Sequence, residues 1–151
     1  MATSTLIQFL DAGEGADTSN RRQVETFLAG GAIAAGDVVA LDIAGQTGTD
    51  SVLYVIQAGL VGTGNPSAVG VSLDTVAAGQ QVRVVVSGYA ANVNCTNGTI
   101  AANAALSAGK TAAGEVETAA NTDTAGLFAV SLEAKGATTA NRVAIHILKR
   151  F

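Results

Sequence analysis

Val71-Ser-Leu-Asp74, a turn at Ala77-Ala-Gly79 and the alternating Val82, Val84 and Val86 form one phrase of this chain. The phrase returns as Val130-Ser-Leu-Glu133, Gly136-Ala-Thr138, then Val143, Ile145 and Ile147. Residues at i, i+2 and i+4 share one face of a strand, so each copy reads strand, turn, strand. Upstream, Gly31-Ala-Ile-Ala-Ala-Gly-Asp-Val-Val-Ala40 is echoed by Gly98-Thr-Ile-Ala-Ala-Asn-Ala-Ala-Leu-Ser107, with Asn103 and Ala104 where Gly36 and Asp37 stand. The order of the two elements is the same in both halves. Two related β units follow, at about 31–88 and 98–148, too few for a solenoid and each too small to stand alone.

Around these units, runs rich in Val and Ile are separated by Gly, Asn and Asp at the spacing of an all-β sandwich or barrel. Strands are expected at 38–43, 52–57, 68–73, 81–87, 126–132 and 142–148. The alanine-rich stretch 101–120 has helix propensity, but Gly109 and Gly114 interrupt it and no stripe of large apolar residues runs along it, so strand and turn are expected there too. Residues 1–29 differ in kind and read as an N-terminal arm before a β domain at 30–151. Within the arm, 23–28 fits a strand by the alternation of Val24, Thr26 and Leu28. It also fits a short helix capped by Ser19, with Val24, Phe27 and Leu28 on one side. The strand is preferred. The fold class is thus all-β, a compact sandwich or barrel of two half-motifs with an extended arm.

Of the 151 residues 48% are hydrophobic, 4% aromatic and only 13% charged, against about 25% charged in an average domain. That composition excludes intrinsic disorder. A net charge of -4, with no basic cluster larger than Arg21-Arg22 or Lys149-Arg150, argues against nucleic-acid binding. No run approaches the roughly 18 apolar residues of a membrane helix, and the N-terminus lacks the basic and apolar regions of a secretory signal. A soluble protein made in a cytoplasm is expected, with no membrane partner.

The chain carries no recognisable catalytic constellation. His146 is the single histidine and sits within a strand, and Cys95 is the single cysteine, without the cluster a zinc site needs. Gly109-Lys-Thr lacks the glycine five residues earlier that a phosphate-binding loop requires, since position 104 is alanine. Gly13-Glu-Gly and Gly62-Thr-Gly read as turns, Asn97-Gly98 as a tight turn, and Glu115 with Glu117 as a solvated strand edge. No catalytic residue, metal ligand or cofactor is expected, and the chain is read as a non-enzyme. Its scarcity of charge suits burial against copies of itself or a larger lattice.

The pattern Gly-x-Ile-x-x-Gly-Asp-x-Val at 31–39, Val69-Gly-Val-Ser-Leu-Asp74 and Gly79-Gln-Gln-Val-Arg-Val84 resembles bacteriophage capsid decoration, or cement, proteins, and 127–147 repeats the second signature. The resemblance covers 31–148. It implies a structural virion protein on the outer surface of an icosahedral head, a homotrimer that clamps neighbouring major capsid protein subunits and stabilises the mature shell, with no catalytic site. The arm then supplies contacts to the capsid or to a neighbour through Leu6, Ile7, Phe9, Leu10, Arg21 and Arg22. The alternative is a non-catalytic β-rich module that binds a receptor or glycan.

Overall fold

The computed structural model describes residues 22–61, 64–96, 98–120, 127–137 and 141–148. In chain order its strands are β1 (Gln23–Ala29), β2 (Val38–Leu41), β3 (Tyr54–Gln57), β4 (Ala68–Ser72), β5 (Gln81–Asn94), β6 (Ala105–Ala108), β7 (Val116–Thr118), β8 (Leu127–Ser131) and β9 (Arg142–Ile147). The described residues are all-β, and the alanine-rich stretch supplies β6 and β7. The arm's residues 1–21 lie outside the described residues.

Five strands close on themselves. β1, β3, β2, β4 and β5 neighbour one another in that order, and β5 returns to pair with β1. The β1–β3 pairing is parallel and the others antiparallel. β5 then runs on and pairs with β9, followed by β8, β6 and β7. A parallel bridge between Cys95, just past β5, and Val116 of β7 brings this second ring back to its start. The first ring is a closed five-stranded barrel, and the second, closed by that one bridge, is a barrel of the same plan that shares β5 with it.

The duplication extends to individual pairs. Val38↔Val71, Val39↔Gly70 and Ala40↔Ala68 in the first barrel become Ala105↔Val130, Leu106↔Ala129 and Ser107↔Leu127 in the second, with the same register shift before the last pair. The bridge Ile33↔Val76 recurs as Ile100↔Lys135. Each barrel begins with a strand that precedes the repeated motifs: β1 in the first, and residues 88–94 at the end of β5 in the second.

The motif acids show why the repeated phrase folds as it does. Asp74 Oδ2 accepts the backbone N–H of Arg83 at 3.0 Å, and Glu133 Oε1 accepts that of Ala144 at 2.7 Å. Each carboxylate thereby continues the ladder past the end of its own strand, toward the turn. Ser72 ties the same turn by donating to the Asp74 carbonyl at 2.7 Å.

Several strand ends differ from expectation for local reasons. β2 stops at Leu41, because Asp42 accepts the Gly45 N–H at 2.9 Å and turns the chain. β3 starts at Tyr54, after a short 3₁₀ turn over Gly48–Val52. β5 runs seven residues beyond Ser87 because Gly88, at φ +88°, lets it change direction without breaking. Asn92, at φ +54°, is the extra residue of a bulge between the β9-paired Ala90 and Val93. On β1, Ala29 is buried and Phe27 half-buried, whereas Val24 is exposed. The strand therefore turns inward the face opposite to that of Val24, Thr26 and Leu28, because the large Phe27 belongs to the barrel interior.

Small aliphatics fill the core. Ile33, Val39, Val55, Val82 and Val84 occupy the first interior. Ile100, Leu106, Phe128, Val143 and Ile145 occupy the second, where they are continuous with Val38, Ala40, Val71 and Val85 from the first barrel's outward side. Each such side chain contributes about 1.5–3 kcal/mol on burial. The seam is also hydrogen-bonded: Val38 N–H donates to Gly114 O at 2.8 Å, Gly114 N–H to Ala58 O at 3.0 Å and Asn94 N–H to Gly36 O at 2.8 Å. Asp37, buried at the seam, accepts from Ala34 N at 2.8 Å and from Gln57 Nε2 and Asn94 Nδ2, both at 2.6 Å.

Candidate functional site

Because the barrels are copies, each provides a reference for the other. Phe27, Leu41, Val69 and Val86 of the first correspond by register to Val93, Ala108, Phe128 and Ile147 of the second. The four in the second barrel are no more than 1% exposed. Those in the first wall a cavity of about 410 Å³ whose rim is Gln23, Glu25 and Ser87. Phe128 fills the second mouth from β8, where β4 offers only Val69. The inner rim of the first barrel carries Gln23 and Glu25, hydrogen-bonded to each other at 2.8 Å. The result is an apolar well with a polar lip at one end of the first barrel.

A loop leaves the same end. Fourteen positions separate Leu41 from its partner Val55, against eight between Ala108 and Val116. The short loop is held in the seam by Gly114, whereas the long one carries Ile43, Val52 and Leu53, each more than half exposed. Leu60 and Val61 add apolar exposure after β3. Exposed apolar groups on a charge-poor surface suit an interface.

Of the residues singled out from the sequence as contacts, Leu6, Ile7, Phe9, Leu10 and Arg21 lie outside the described residues. Arg22 is half-buried and precedes the rim residue Gln23. His146 is exposed on β9, opposite Val130 and Tyr89. Cys95 is fully buried, and burial pushes its thiol pKa up, outweighing the opposing charge of Lys135. Glu117 lies on β7 and accepts the Thr111 N–H at 2.6 Å. Among the described residues no group of three His, Cys, Asp or Glu side chains is placed to hold a metal ion. No helix among them is long and apolar enough to cross a membrane. The mouth and the long loop escaped sequence reading. The signal available was the greater length of the first β2-type to β3-type connection relative to its repeat.

No protein-family model matches the chain, and none of the curated proteins matches it in sequence. Among solved structures it is similar to the N base of head fiber gp8.5 in bacteriophage phi29, with 16% sequence identity and a TM-score of 0.54. The likeness covers 84% of this chain and 94% of that one. What the two share is the fold.

Proposed function

We propose that this chain is a structural protein of a phage virion, bound to the outside of the head, where it clamps neighbouring major capsid protein subunits as a homotrimer and stabilises the mature shell. The observation that carries this reading is the fold shared with nearly the whole of a head-fiber base. The turn and core motifs resembling cement proteins support it, as does the exposed apolar loop on a surface poor in charge. Three copies joined as one unit convert weak contacts into one strong attachment through effective concentration. Preferential binding to one state of the shell shifts the shell toward that state. The proposed role is non-catalytic.

The test is co-sedimentation of the purified protein with heads of its own phage prepared without it, followed by heating. Saturable binding at a fixed copy number, with a higher temperature of head disruption, is expected. Heads that neither bind it nor gain stability overturn the proposal, and selective retention on a glycan array instead points to a receptor-binding module.

A further inference from the structure

We propose that the open mouth of the first barrel is the seat of this chain's own N-terminal segment, with Leu6, Ile7, Phe9 and Leu10 supplying the apolar contacts. The second barrel shows what a filled mouth looks like, with Val93, Ala108, Phe128 and Ile147 all withdrawn from water. The first leaves about 410 Å³ between Phe27, Leu41, Val69 and Val86, within the roughly 300–1,000 Å³ range of pockets that take a ligand. A space of that size, with four apolar walls below the polar lip of Gln23, Glu25 and Ser87, suits an occupant that lays apolar side chains on the walls and leaves polar ones at the lip.

Chain continuity selects which occupant. Gln23 and Glu25, the first inward positions of β1, are themselves part of the rim, so the preceding segment sets out from the mouth. Residues 11–22 then separate the four anchors from β1. Twelve residues reach about 40 Å when extended, well beyond the span of a barrel end, and Gly13 and Gly15 allow the chain to reverse. The connector Asp11-Ala-Gly-Glu-Gly-Ala-Asp-Thr-Ser-Asn20 is polar and does not compete for an apolar site. A tether this short holds the anchors at an effective concentration in the millimolar range.

Disulfide trapping tests this in the full chain. Cys95→Ala removes the native thiol and is compatible with the fold, because Ala29 occupies the equivalent place in the first barrel. On that background Phe9→Cys is paired with Leu41→Cys and oxidised at low protein concentration. An intrachain 9–41 disulfide, located by peptide mass, is expected, with none for Phe9→Cys paired with Thr26→Cys on the outward side of β1. Crosslinks between chains, or no 9–41 disulfide, overturn the proposal. A second measurement needs no cysteine. Val69→Phe places in the first mouth the residue that fills the second, and should speed chymotryptic cleavage after Phe9 at least tenfold while the thermal transition is retained. Equal cleavage of the folded variant and the parent overturns it as well.

Discussion

Gly36 and Asn103 hold the same turn in the two barrels, both in the left-handed region, at φ +90° and +61°. In each, the backbone N–H donates to a serine carbonyl, that of Ser72 at 2.8 Å and Ser131 at 2.9 Å. Asn is among the few residues that tolerate this conformation, so the difference between the copies leaves the turn unchanged. The positions are nevertheless not interchangeable. A Cβ on Gly36 meets the Arg142 guanidinium and comes within 2.5 Å of Asn92 O. Gly36→Asn should therefore destabilise by about 1–3 kcal/mol, whereas Asn103→Gly changes stability by about 1 kcal/mol or less; urea unfolding of the two variants checks the asymmetry. Asp37→Ala copies Ala104 but strips three donors at the seam of their acceptor, and a loss of about 3 kcal/mol is expected in the same assay. At Asp74 the Arg83 hydrogen bond at 2.7 Å holds the carboxyl below its ordinary pKa. A depressed folded pKa stabilises fully above the ordinary value of about 3.9 and is lost as the pH falls through the lower folded one. The stability gap between the parent and Asp74→Asn should thus close below about pH 4. It is small at neutral pH, well under about 1 kcal/mol, because the Arg83 side chain is 63% exposed and screened.

The strands were legible where Val and Ile alternate, as in β5 and β9, because a period of two with β-branched residues has few other uses. The alanine-rich β6 and β7 were legible only through what interrupts a helix. Less visible was the reach of β5. Gly88 has the look of a stop, yet its positive φ is what carries the strand from one barrel into the next. Closure was hidden as well, since the parallel β1–β3 pairing joins residues far apart in sequence and leaves no local mark. The candidate site was hidden for a related reason. A mouth is open or filled according to the combined size of side chains from four strands, and none of Phe27, Leu41, Val69 or Val86 signals a cavity by itself. β5 pairs in both barrels, so its amide protons should be the slowest to exchange in native-state measurements, and those of Val85 and Ile145 should exchange together through global opening. Fast exchange in one half of β5 alone would contradict this.

Across the whole molecule, sharing a strand removes the independence that a duplicated chain would otherwise have. Neither barrel keeps its closure without β5, and the seam buries Val38, Val71 and Val85 against the second barrel's core. Heat or denaturant should give a single transition by circular dichroism and calorimetry alike, despite the internal repeat. Cys95 reports the same event: buried, with its thiol pKa raised, it should react with a thiol reagent only at the rate of that opening. Light scattering is expected to give the mass of three chains, and a monomer both free and on the head would remove the homotrimer from the functional proposal.

The shared strand also has a mechanical meaning. β5 has 14 residues, about 45 Å of extended chain, and it is the covalent member that crosses from one barrel to the other. A pull that draws the barrels apart along β5 cannot peel bonds one at a time. It must slide half the strand out from between its neighbours, which loads many ladder hydrogen bonds in shear at once. A swelling or pressurised surface would therefore meet a stiff link along this axis and a softer one across it, so the direction in which such a molecule is laid down decides how much tension it can carry.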